Sequence, residues 1–111
     1  MHGVLWYVFL GSRGGETRMR IVALLRKRPR NAHQIKNDMK VDYSTVRHSL
    51  RVLEKNRLVM SQGESYGAVY QVTPEFESIM DDYDVLIEGR KEQKRLTRPK
   101  WEKLLKQKKG A

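Results

Sequence analysis

Asp42-Tyr43-Ser44-Thr45-Val46-Arg47-His48-Ser49-Leu50-Arg51-Val52-Leu53-Glu54-Lys55-Asn56 is the stretch on which the fold turns. Set on a helical wheel at about 100° per residue, Val46, Leu50 and Leu53 fall within about 60° of one another and form an apolar stripe. Ser44, His48, Arg51 and Lys55 point the opposite way, with Thr45 and Arg47 flanking them. That outward face is rich in hydrogen-bond donors and carries no carboxylate, because Glu54 lies at the edge of the apolar side. Asp42 stands where an N-cap would, so a helix is expected from about Tyr43 to Asn56.

Working outward from this helix, Lys40-Val41-Asp42 makes a tight connection to a shorter helix before it, Ala32 to Met39, with Asn31 as N-cap and Ile35 and Met39 facing inward. Pro29 ends an earlier helix, Glu16 to Lys27, in which Ile21, Leu24 and Leu25 recur at helical spacing. Glu16 lies near its positive end, and Arg26, Lys27 and Arg28 near its negative end. Two helices joined by so short a turn form a helix-turn-helix unit. Downstream, Leu58–Gln62 and Ala68–Thr73 are β-rich runs around the glycine-bounded loop Gly63–Gly67, which reads as a hairpin. A hairpin placed there is a wing. Pro74 starts a further helix with Phe76, Ile79, Met80, Tyr83, Leu86 and Ile87 as its apolar positions. Val4–Leu10 is apolar on every side, so periodicity leaves strand and helix open. Gly11 could end a helix with a left-handed residue, and Ser12–Gly15 is a loop. The expected fold is mainly α with a small β-hairpin: a winged helix-turn-helix with extra N- and C-terminal helices.

Composition bounds what such a chain can do. Its 111 residues fit a domain over 1–87 and a basic tail over 88–111, partly helical or disordered. Gly89–Arg98 is highly charged, and Pro99–Lys108 could form a short basic amphipathic helix carrying Trp101, Leu104 and Leu105. The formal net charge of +10 favours polyanionic partners, nucleic acid first. Yet residues 1–87 hold 13 basic and 10 acidic residues while 88–111 hold 10 and 3, so +7 of the excess sits in the tail and says little about the domain. There is no cysteine, which excludes disulfides, thiolate metal sites and cysteine nucleophiles and is compatible with a cytoplasmic protein. Val4–Leu10 is far short of the roughly 20 residues a membrane span needs, and it lacks the flanks of a signal peptide.

The outward face of the third helix suits the major groove of double-stranded DNA. Arginine binds guanine O6 and N7 in a bidentate manner, and the first helical residues point at base edges. The expected DNA-binding residues are Tyr43, Ser44, Thr45, Arg47, His48, Arg51 and Lys55. Arg18, Arg20 and Lys36 are expected to add phosphate contacts that position the domain. The wing tip, Gln62–Gly67, has no cation and one carboxylate, so arginine reading of the minor groove is not expected. Ser65 or Tyr66 could still reach a phosphate.

Asn31 to Val59 resembles the ArsR-like winged-helix transcriptional regulators, most specifically in the pattern Asp-Tyr-x-Thr-Val-x-His-x-Leu-x-Val-Leu over Asp42–Leu53. Gly11-Ser12-Arg13-Gly14-Gly15-Glu16-Thr17-Arg18, with Leu5-Trp6-Tyr7, resembles an archaeal branch of that group. The resemblance covers roughly residues 4–73. It implies a transcriptional regulator that binds a near-palindromic site as a homodimer, one third helix per half-site, with a helical segment before Gly11.

Metal-sensing members of the wider family use cysteines or His/Asp/Glu clusters. Here His2, His33 and His48 show no ligand spacing, so no metal or cofactor is expected. Asp81, Asp82 and Asp84 are contiguous, and a helix would splay them rather than converge them on a metal. No nucleophile–base pair or phosphate loop is present, and the chain is not expected to be an enzyme. Trp6, Tyr7 and Phe9, with Phe76, Ile79, Met80 and Tyr83, are expected in the core and subunit interface; a small-molecule pocket among them is the less favoured reading. The competing function is a winged-helix protein-interaction module in transcription or RNA machinery, with the tail binding nucleic acid nonspecifically.

Overall fold

The computed structural model describes residues 2–64 and 67–97, with side chains described as far as Gln93 and not for His2. A short helix α1 (His2–Trp6) continues into a π-helical turn (Tyr7–Gly11), so the ambiguous N-terminal run is helical. Helix α2 (Gly15–Lys27) follows, then a two-residue strand β1 (Arg30–Asn31), helix α3 (Ala32–Met39) and helix α4 (Tyr43–Lys55). Strands β2 (Val59–Gln62) and β3 (Val69–Val72) form the hairpin, and α5 (Pro74–Ser78) and α6 (Met80–Thr97) close the order. The expected hairpin gains a third strand: the sheet order is β1-β3-β2, all antiparallel, with Arg30 opposite Tyr70 and Val59 opposite Val72.

Each helix end has a local cause. Asn31 makes a reciprocal capping box: its side chain accepts from the Gln34 N–H, and the Gln34 side chain accepts from the Asn31 N–H. Asp42 occupies the N-cap of α4 in extended geometry, but its side chain makes no capping bond, contrary to expectation. Lys40 ends α3 in the left-handed region at φ 57°, a position that costs a non-glycine residue roughly 1 kcal/mol. This turn sets how α4 leaves α3. Gly11 is not the left-handed residue that the sequence suggested: the N-terminal turn ends at Ser12 in extended geometry, and the left-handed glycine is Gly14, at φ 88°, the N-cap of α2. Thr73 ties three elements together. Its hydroxyl donates to the Arg57 carbonyl at 2.7 Å and accepts from the Phe76 N–H at 3.1 Å, joining the end of α4, the end of β3 and the start of α5. Beyond α5 the expected single helix breaks at Ile79, which adopts φ −117° and ψ 19° before α6 begins. Helix α6 then runs through Glu88, where the tail was expected to start.

Val46, Leu50 and Leu53 are fully buried, as the wheel requires, against Ile21, Val22, Ile35 and Leu58. Phe9, Phe76 and Tyr83 form an aromatic trio with centroids 4.8–6.1 Å apart, which fastens the N-terminal turn to α5 and α6. Trp6 and Tyr7 do not join them; they stand 55% and 56% exposed, so within one chain only Phe9 of the three belongs to the core. The sequence could not separate these cases, because an all-apolar run has no face.

Burial pushes the Tyr83 phenol up to about 12 from its ordinary 10.0, with Asp84 adding to the rise and Arg26 opposing it. The folded state therefore favours the neutral phenol. Its contribution is complete below about pH 10 and is lost as pH rises from about 10 to about 12. Tyr83→Phe should flatten the fall of unfolding free energy across that window. Equal slopes for parent and variant in denaturant titrations would contradict this.

Candidate nucleic-acid interface

Helix α4 presents Ser44, Thr45, His48, Arg51 and Lys55 to solvent, opposite its buried stripe. Glu54 is turned to the sheet, where its carboxylate accepts from the Ser61 hydroxyl at 3.3 Å. The outward face is thus free of carboxylate in three dimensions as well as on the wheel. Tyr43, in the first turn, is half-buried and stacks on His33 with centroids 4.9 Å apart, which braces the α3–α4 corner. Arg47 flanks the face as expected but is half-buried, and its guanidinium donates to the buried Tyr70 hydroxyl of β3. One arm of that fork is committed to the sheet, leaving Arg51 as the fully presented arginine of the helix.

The phosphate-contact expectations fare unevenly. Lys36 is half-buried on α3. Arg20 is exposed and donates to the Met39 carbonyl at 3.2 Å. Arg18 is a correction: it is 2% exposed and cannot reach a phosphate. Because α2 starts at Gly15, Arg18 turns inward beneath the N-terminal turn. Its Nε donates to the Val8 carbonyl at 2.8 Å, and its Nη2 to the Ser12 hydroxyl at 2.7 Å and the Arg13 carbonyl at 3.0 Å. Burial lowers its pKa below the ordinary guanidinium value, with Tyr7 acting the other way. Ser65 and Tyr66 lie outside the described residues, as does the helix expected over 99–108.

Two features escaped the sequence reading. Arg13 and Thr17 share a groove of about 330 Å³ with Ser44, Thr45 and His48. Arg30, 7% exposed on β1, pairs with Asp38 of α3 at 3.3 Å while its Nε has no hydrogen-bond partner. Periodicity gives no sign of either, since both depend on elements meeting in space. On the far side of α2, a second groove of about 420 Å³ runs between α2 and α6, floored by Met19, Val22, Ala23, Tyr83 and Ile87. Arg26 bridges it by two hydrogen bonds to Asp84, at 2.7 and 3.1 Å, and that bond raises the Arg26 pKa.

With this geometry in hand, residues 15–61 match the family model described as bacterial regulatory protein, arsR family. That segment is similar to the helix-turn-helix of this family. It spans α2 to the start of the wing, including the whole face of α4. Solved structures share the fold. One is the solution structure of a homodimeric winged helix-turn-helix DNA-binding domain from Mycobacterium bovis, described as a possible ArsR-family transcriptional regulator. It is 15% identical, with a TM-score of 0.64 over 88% of this chain and 86% of that one. Rv0081 of Mycobacterium tuberculosis is 18% identical, with a TM-score of 0.60 over 86% and 94%. A doubly substituted form of Lactococcus lactis ZitR is 13% identical, with a TM-score of 0.55 over 83% and 68%. No curated protein sequence matches the chain. The matched segment contains no cysteine. Among the described residues no cluster of three or more His, Asp and Glu is arranged to hold a metal, and no helix is long and apolar enough to cross a membrane.

Proposed function

We propose that this chain is a cytoplasmic, sequence-specific transcriptional regulator that binds double-stranded DNA as a homodimer, with α4 in the major groove. The observation that carries the proposal is the α4 face: five exposed donors, no carboxylate, and a buried apolar stripe behind them. Arg51 and His48 face base edges, Ser44 and Thr45 serve at the helix start, and Lys55 meets a phosphate. The DNA-binding, homodimeric description of the M. bovis domain supports the same reading. The dimer face is drawn from α1, the N-terminal turn and α6, where Trp6, Tyr7 and the 73% exposed Val85 leave apolar surface uncovered. Within the family, the Gly11–Arg18 sequence supports the archaeal branch.

Because α6 extends to Thr97, the tail is best removed after that residue rather than after Ile87. A chain ending at Thr97 should keep the parent's preference among duplexes while binding all of them more weakly at moderate salt, since lost phosphate contacts act without regard to sequence. Loss of all duplex affinity on truncation would make the tail the binder and remove α4 from that role.

A further inference from the structure

The groove shared by Arg13 and α4 carries an inference beyond the recognition helix. On one side it is lined by Arg13, Gly14 and Thr17, and on the other by Ser44, Thr45 and His48. None of the lining residues is acidic. The first turns of α2 and α4 meet there, α2 through Thr17 and α4 through Ser44 and Thr45. Arg13 is exposed, and among the described residues no hydrogen bond or ion pair engages its guanidinium.

The loop that carries Arg13 is held rigidly from beneath. The Ser12 hydroxyl donates to the Tyr7 carbonyl at 2.6 Å and accepts from Arg18 Nη2, which also holds the Arg13 carbonyl. Gly14 is left-handed, and a Cβ there would stand 2.9 Å from Arg18 Nη1. A Cβ on Gly15 would fall 2.1 Å from the Phe9 carbonyl oxygen. The Gly-Ser-Arg-Gly-Gly run is therefore a fixed platform: one arginine is buried to hold the backbone, and another is left on the surface beside the first turn of α4.

We propose that Arg13, with Thr17, is a DNA backbone clamp, which binds a phosphate flanking the base pairs faced by α4. This rests on the reading of α4 as the DNA-facing helix. The held loop and shared groove fix where the Arg13 backbone sits relative to Ser44 and His48 and leave its guanidinium free to take a phosphate, so the phosphate contact sets the register of α4 in the groove without reading sequence.

The test uses the full chain and two duplexes of equal length, one selected by the parent from a random pool and one unrelated, titrated across a salt series. Arg13→Ala and Arg13→Gln should weaken both duplexes by the same factor. Each should lower the slope of log affinity against log salt by about 0.9 per protomer, hence about 1.8 for a dimer, with melting temperature unchanged. Arg13→Lys should restore most of the slope. Unchanged slope and affinity in Arg13→Ala, with the parent binding normally, would overturn the clamp and leave the α4 reading standing. A changed ratio between the two duplexes would also overturn it, since Arg13 would then read bases. Failure of the parent to bind any duplex would overturn the α4 reading itself and the clamp with it.

Discussion

Arg18→Met should destabilise the domain by about 3–5 kcal/mol, a large share of the roughly 5–15 kcal/mol that holds a small domain together. The methionine stem replaces much of the arginine's buried volume, so the loss is not mainly one of packing. What disappears is a set of charge-assisted hydrogen bonds to the Val8 carbonyl, the Ser12 hydroxyl and the Arg13 carbonyl. Such bonds contribute about 1.5–3 kcal/mol each, and buried acceptors left without donors add their own desolvation cost. Arg18→Lys keeps the charge but presents a single ammonium where a planar fork spans several acceptors, so it should fall between methionine and the parent. Urea or thermal unfolding measures both variants. Stability of Arg18→Met within about 1 kcal/mol of the parent would show that the N-terminal turn docks on α2 without this residue.

The second large effect is functional. Arg51→Ala should remove about 1–3 kcal/mol of discrimination at one base pair per half-site while leaving the fold unchanged, because Arg51 is exposed and lies opposite the core. In affinity this is about 5- to 150-fold at the preferred base and little at others. Arg47→Ala should behave differently. Arg47 is bonded to Tyr70, so its removal also frees a buried hydroxyl and loosens α4 against β3, and some loss of stability should accompany the loss of binding. The pair of variants separates a residue that only reads DNA from one that also braces the reading helix.

How much of this was visible in the sequence depends on the range of the interaction. Val46, Leu50 and Leu53 were legible because helical periodicity and burial are the same signal, and all three are fully buried. The bounds of α3, Ala32–Met39, followed from the Asn31 cap and the inward positions of Ile35 and Met39. Strand β1 was not legible, since two residues hold no period and Arg30–Asn31 is a strand only because β3 lies beside it. The break at Ile79 has no proline or glycine to announce it. Arg18 misled because a basic residue in an amphipathic helix is ordinarily solvated; its partners are backbone groups that reach it only when the N-terminal turn folds over α2. The same applies to Arg47, whose tie to Tyr70 crosses from helix to sheet. The outward chemistry of α4 could be listed from the sequence, and the three-dimensional arrangement changed its ranking: Arg51 gains weight, Arg47 acquires a second role, and Arg13 in place of Arg18 faces the groove.

The claim at the centre of this account is that α4 reads base sequence. Selection of bound duplexes from a random pool, run in parallel with the parent and with Arg51→Ala, tests it most directly. The account predicts an enriched, near-palindromic motif for the parent, with half-sites about one helical turn of DNA apart. It also predicts that Arg51→Ala loses preference at one position in each half-site and keeps the rest. A parent pool with no enriched motif, or the same motif at the same strength for both proteins, would contradict it.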